Sequence, residues 1–504
     1  MSSFTRKSGV LLHISSLTGP YGIGEIGPHA FTFIDQLCDM GQHLWQILPL
    51  GDTGEGHSPY ATISAFANNP ILISFDKLCE DGLLTIDEIG EFPTRDMNKI
   101  DFDLIVPLRT KILHHVSENF HSRASSYQIK QFDDYCKTHE SWLDDYALFV
   151  SIKNNQNGKK WHEWDDHYLI RDKQALERAK KIFKEEIKEI KILQYLFHAQ
   201  WQNLKTYAHS KGVQIIGDVP IYVSFDSVDV WVNRTLFKLD SSGCMLSQSG
   251  CPPDYFQKSG QLWGNPLYNW DAHEHEKFAW WINRIKTLFE MVDMVRIDHF
   301  NGLVKYWEVP IKNKTAKAGN WVRGPEQKLL DAIFTRLGAK PIIAEDLGEA
   351  SVDAKPLRKK YDIPGMEILQ FSFNEAMENQ NLKAGLEFPK NSVIYTGTHD
   401  NDTLLGWLEN LNPSLIDQLE DSLSKNGVNG KDSTLNWKLI SFAFESKANT
   451  AIVPLQDILG LDNSARMNVP GTINGNWNWR FAQGVIPEST VKMMKELTQN
   501  TDRF

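Results

Sequence analysis

Cysteine is scarce in this chain. Cys38, Cys79, Cys136, Cys244 and Cys251 are odd in number and far apart, which argues against a disulfide framework and against a cysteine-rich metal site, and points to a reducing cytoplasm. Long apolar runs are missing as well. No stretch reaches the roughly 18 consecutive apolar residues of a membrane span, and the run behind Met1–Gly9 is too short for a signal-peptide core. The expectation is a soluble, unexported protein. There is no basic excess either: 53 Lys and Arg against 64 Asp and Glu leave a net charge of −11, spread along the chain. That balance suggests neither a nucleic-acid footprint nor an anionic-membrane surface, and it suits an uncharged ligand.

What is present is ordinary globular composition, 41% apolar and 23% charged, over 504 residues, enough for one large barrel with insertions. The 16 Trp and 26 Phe collect near Gly, Pro and Asn rather than only in periodic runs. Core packing accounts for most of them. Those in loops need another reason, and stacking on the flat apolar faces of sugars is one candidate.

Short apolar runs recur along the chain. Ser8–Ile14 reads as a first buried strand, followed by a helix over 29–40 and a second strand over 43–50; strand, helix and strand with short joints form a parallel crossover unit. Further strands fall at 212–220, 291–298, 341–348, 365–371, 392–401 and 450–455. Eight such runs separated by helix-length spacers predict an α/β fold, a closed (β/α)8 TIM barrel spanning residues 1–504 as one catalytic domain. Two insertions interrupt it. Residues 51–211 hold a glycine-rich rim loop with Ser58 and Tyr60, then a largely helical, charged subdomain from about Pro107 to Tyr207. Residues 222–270 hold a second excursion. Within it the stretch from Cys251 to Pro266 is too rich in Pro and Gly for a helix or a central strand, yet it carries Tyr255, Phe256 and Trp263, and reads as an aromatic lid. His162, His167, His273 and His275 lie in polar stretches that read as exposed helix or loop, with no metal assigned to them.

Asp218, Asp298, Glu345 and Asp400 come at the C-terminal ends of their runs, where barrels build active sites. Residues two apart on a strand share a face, so Arg296 and Asp298 project together. A structural salt bridge is one reading of that pair. The other is a carboxylate held ionised as a nucleophile, with Glu345 on the next strand as the acid and base of a retaining glycosidic cleavage. On that reading Arg296 keeps Asp298 charged and the enclosed site raises the pKa of Glu345. Asp400 then accepts hydrogen bonds from sugar hydroxyls, with His299 and His399 as further hydroxyl partners.

The motifs RIDHF at 296–300, AEDLG at 344–348, THDN at 398–401, PPDYF and GQLWGNPLYNW within 252–270, GDVPIYV at 217–223 and RMNVPGT at 466–472 stand in a specific order. Together they resemble the 4-alpha-glucanotransferases, the amylomaltases or disproportionating enzymes of the α-amylase clan, from about Gly9 to Trp479. The resemblance implies a retaining transfer of α-1,4-glucan segments between maltodextrins in the cytoplasm, without metal or organic cofactor. It implies that Asp298 is the nucleophile, Glu345 the acid/base and Asp400 the transition-state stabiliser. It also places Tyr60, Asp218, Tyr255, Phe256, Gln261, Trp263, Arg296, His299, His399 and Asn468 along the glucan cleft. An α-1,4-glucan hydrolase, a maltodextrin-binding protein without activity and a metal-dependent barrel enzyme are the competing readings.

Overall fold

The eight expected strands close into a parallel barrel. The computed structural model describes residues 5–93, 95–253, 258–348, 351–378, 387–425, 428 and 434–504. Its strands are β1 (Lys7–Leu11), β2 (Leu44–Gln46), β3 (Gln214–Pro220), β4 (Ser247–Cys251), β5 (Gln261–Pro266), β6 (Met294–Asp298), β7 (Lys305–Pro310), β8 (Asn320–Arg323), β9 (Ile342–Ala344), β10 (Gly365–Ile368), β11 (Ser392–Tyr395) and β12 (Thr450–Pro454). Around the barrel the order is β1, β12, β11, β10, β9, β6, β3, β2, each beside its neighbour in the chain once the insertions are set aside. Strands enclosed by helices outside and by side chains within are mainly apolar, as Ile215, Ile216, Val295, Ile297, Ile343 and Val393 are. Gly9 has a local reason: a Cβ there would lie 2.3 Å from the Leu44 carbonyl oxygen, so β1 approaches β2 too closely for any side chain.

Between β2 and β3 the chain is mainly helical. The helix Phe102–Arg123 starts five residues before the expected boundary at Pro107, because Asp101 caps it by accepting the Leu104 N–H. Ser125 and Gln128 form a capping box for Ser126–Thr138. The long helix Lys184–Ser210 is fastened to the loop after β2 by two buried amides: Gln194 meets the N–H and C=O of Asn68, and Gln200 those of Ser74. Each amide satisfies a donor and an acceptor of loop backbone that would otherwise be buried unpaired.

A second sheet was not expected from the sequence. β5, β4, β7 and β8 pair antiparallel in that order, joining the excursion after β3 to the one after β6. The Pro- and Gly-rich stretch therefore ends as an edge strand, β5, where a proline costs no ladder hydrogen bond. Tyr255 and Phe256 lie outside the described residues. His273 departs from its expected exposure: it is buried among Tyr268, Trp270 and Trp280, and burial pushes its pKa down to about 4. No helix among the described residues is long and apolar enough to cross a membrane.

Candidate active site

β3, β6 and β9 are consecutive staves. Asp218 pairs in register with Arg296, and Ile297 with Ala344, so Asp218, Arg296, Asp298 and Glu345 meet at one mouth of the barrel. Asp298 is the last residue of β6, and Glu345 follows β9 directly. Arg296 points into the barrel with its side chain 3% exposed. Its Nη1 donates to Asp218 Oδ2 at 2.6 Å, and its Nη2 lies 3.1 Å from Asp298 Oδ1 and 3.2 Å from Glu345 Oε2. One planar guanidinium thus serves three carboxyl groups, a task that its fork of fixed donors suits and a lysine's point charge does not. Tyr60 donates its hydroxyl to Asp218 Oδ2 at 2.7 Å.

Asp298 and Glu345 are close enough to hydrogen-bond each other and to share a proton. Burial, and then the charge of Glu345, push Asp298 well above the usual carboxylate range, against the pull of Arg296. Burial acts on Glu345 in the same sense, but Arg296 and a 2.6 Å hydrogen bond from the His299 N–H outweigh it and hold Glu345 below its ordinary value. The two carboxyl groups are thus driven in opposite directions, Asp298 upward and Glu345 downward. These directions run opposite to the sequence expectation of a charged Asp298 beside a raised Glu345. The Arg296 charge is the larger pull on Glu345, and the His299 backbone adds to it: with φ +52 it adopts the left-handed conformation, unusual for a residue with a side chain, and aims its N–H at Glu345.

Asp400 stands on the opposite side of the mouth. β11 ends at Tyr395, shorter than expected, so His399 and Asp400 lie on a loop beyond it. Asn468 Nδ2 donates to Asp400 Oδ1 at 2.6 Å, His399 Nε2 lies 3.3 Å from its Oδ2, and Arg466 donates to its carbonyl at 2.6 Å. The side chain is still 42% exposed to the cleft. Tyr60 stacks on His399, with ring centroids 5.0 Å apart, and Trp263 stands edge-on to His299 at 4.8 Å. Gln261 accepts from the Trp263 indole, and Ser58 Oγ accepts the Tyr60 N–H, so both act through a neighbouring aromatic residue.

Several residues at this mouth were not singled out from the sequence. Trp477 packs against both Tyr60 and His399 at 5.8 Å, and Tyr222 against Trp263 and His299. Met366 Sδ faces Arg296 Nε at 3.4 Å. Arg466 was visible as the first residue of RMNVPGT. Trp477 carried no signal, since only ring contacts between distant segments bring it in.

The profile of a family described as 4-alpha-glucanotransferase matches residues 12–485. The chain belongs to the 4-alpha-glucanotransferase family. It is 42% identical over 482 residues to the 4-alpha-glucanotransferase of Synechocystis sp., covering 94% of each chain, and 39% identical over 500 residues to that of Thermus thermophilus, covering 99% of each. The amylomaltase from Streptococcus agalactiae, solved in complex with acarbose, superposes with a TM-score of 0.93 at 38% identity over 99% of both chains. The amylomaltase from Corynebacterium glutamicum shares the fold, with a TM-score of 0.79 at 19% identity over 99% of this chain and 75% of that one. The glucanotransferase reaction moves segments of α-1,4-glucan from one chain to another, and the carboxyl groups described here form the polar floor of the barrel mouth.

Proposed function

We propose that this glucanotransferase works by retaining double displacement, with Asp298 as nucleophile, Glu345 as acid/base and Asp400 as transition-state stabiliser. The observation that carries the reading is the single Arg296 nitrogen that lies 3.1 Å from Asp298 and 3.2 Å from Glu345, so the two carboxyl groups stand closer than the roughly 6.5–9.5 Å of inverting pairs, as retention needs. The donor is a maltodextrin, as acarbose in the S. agalactiae amylomaltase supports. With the donor bound, Glu345 carries a proton and Asp298 is ionised. Asp298 attacks the anomeric carbon, and Glu345 protonates the departing oxygen as the glycosidic bond breaks. The acceptor's 4-hydroxyl then displaces Asp298, and Glu345 takes the hydroxyl proton. Asp400, oriented by Asn468 and His399, accepts ring hydroxyls as positive charge develops on the sugar. Side chains carry every step, and no metal or organic cofactor takes part.

Residues 1–504 act as one catalytic domain with insertions at 51–211 and 222–270. Trp263 and Gln261 belong to the lid that stacks on sugar and keeps water out, favouring transfer over hydrolysis. Tyr60, Ser58, Asp218, His299 and His399 complete the cleft, and the setting is the cytoplasm. Maltotriose decides the reading: the purified protein should release glucose together with longer maltodextrins. Reducing ends that rise steadily with no longer products would instead make it a hydrolase. Asp298→Ala should abolish turnover, and Glu345→Gln should lower kcat by about 10²–10⁴; near-normal rates in either would reject the roles assigned.

A further inference from the structure

The loop that carries Asp400 leaves β11 at Thr396 and enters the helix Leu404–Glu409. Both of its ends meet one buried carboxylate. Asp457, 1% exposed in the short helix Leu455–Ile458 after β12, accepts the Thr396 hydroxyl on Oδ2 at 2.5 Å and the Leu404 N–H on Oδ1 at 2.7 Å. We propose that Asp457 is a positioning residue for the glucanotransferase reaction, a clamp that joins the two ends of the 396–404 loop and so sets where Asp400 and His399 stand.

The inference rests on the reading of Asp400 given above and extends it to a residue that does not reach the sugar. The geometry sets Asp457 apart from ordinary core. It is an acid where an apolar residue would fill the space at lower cost, and its two oxygens go to groups eight residues apart in the chain. Neither donor is charged, so no cation offsets its burial, and its pKa is pushed up to about 6. A carboxylate kept in spite of that cost has a use other than stability. Other ties hold this loop between its ends: Gln370 donates to the Asp402 carbonyl, Asn463 accepts the Thr403 N–H, Arg466 holds the Asp400 carbonyl and the Asp402 carboxylate, and Asn468 meets both the His399 carbonyl and Asp400. None of them joins Thr396 to Leu404. Asp457 fixes the span between the ends, and at an active site a shift of about 1 Å can cost about 10²-fold in rate.

The test uses the full chain with maltotriose at pH 7. Asp457→Ala should lower kcat about tenfold or more and leave KM within about twofold. Asp457→Asn, which keeps the size and one acceptor oxygen, should recover most of the lost kcat. Thr396→Val removes the hydroxyl end alone; it should lower kcat in the same direction and add nothing in the double variant with Asp457→Ala. A kcat within about twofold of wild type for Asp457→Ala overturns the clamp, as does a loss confined to folded content with Thr396→Val fully active. Asp400→Asn separates this inference from the reading beneath it. An inactive Asp400→Asn beside an active Asp457→Ala removes only the clamp, while an active Asp400→Asn removes both.

Discussion

Replacing Arg296 by Met tests the electrostatic centre of the site. The guanidinium is buried, and it neutralises Asp218 at 2.6 Å while bridging Asp298 and Glu345 at 3.1 and 3.2 Å. Methionine nearly matches the volume and leaves three carboxyl groups facing one another. Removing one partner of a buried ion pair costs about 3–5 kcal/mol, because the remaining charge stays desolvated. The loss must depend on pH. Arg296 lowers the pKa of all three acids, so without it their folded values rise. A carboxyl whose folded pKa lies above its unfolded value destabilises the fold where it is ionised, and the penalty disappears as pH falls below the unfolded value. The stability gap between wild type and Arg296→Met, measured by denaturant unfolding, should therefore be widest near pH 8 and shrink steadily towards pH 4. Turnover of maltotriose should fall with it, and the acid limb of the rate profile should move to higher pH. A gap that stays constant across this range would refute the reasoning, as would wild-type turnover in the variant.

Asn468→Ala removes the 2.6 Å donor to Asp400 and should lower kcat/KM on maltotriose about 10- to 100-fold, the worth of a hydrogen bond to a charged group; an unchanged kcat/KM would show that Asp400 is oriented by other groups. For Asp457 the folded pKa of about 6 lies above the usual 3.8, so the ionised form costs about 3 kcal/mol above pH 6, and the cost is lost as pH falls from 6 to 4. Wild type should gain stability relative to Asp457→Asn across that window, and parallel unfolding curves for the two proteins would contradict it. Tyr60→Phe deletes the hydroxyl that meets Asp218 but keeps the ring stacked on His399. It should lower kcat/KM several-fold while Tyr60→Ala costs distinctly more, and equal losses would deny the ring its role.

Much of this molecule was legible in one dimension. Burial on both faces forces the barrel strands to be apolar, so β1, β2, β3, β6 and β9 to β12 announced themselves, and the polar residues ending those runs marked the mouth. Period-two geometry alone put Arg296 beside Asp298. Other features depend on contacts between segments far apart in the chain. The four-stranded sheet pairs β4 with β7 across a barrel strand, and no local pattern reports such a partnership. Trp477 reaches Tyr60 from more than four hundred residues away. The opposite shifts of Asp298 and Glu345 are the plainest case. Sequence supplied both acids and the arginine, but the directions in which they shift follow from burial, from the Arg296 charge and from one backbone N–H turned inward by the positive φ of His299. Which residues can do the chemistry is a matter of side-chain type and spacing, and the chain carries that information by itself. Which of two carboxyl groups holds a shared proton is a difference in solvation and hydrogen bonding, and these exist only once the barrel has closed.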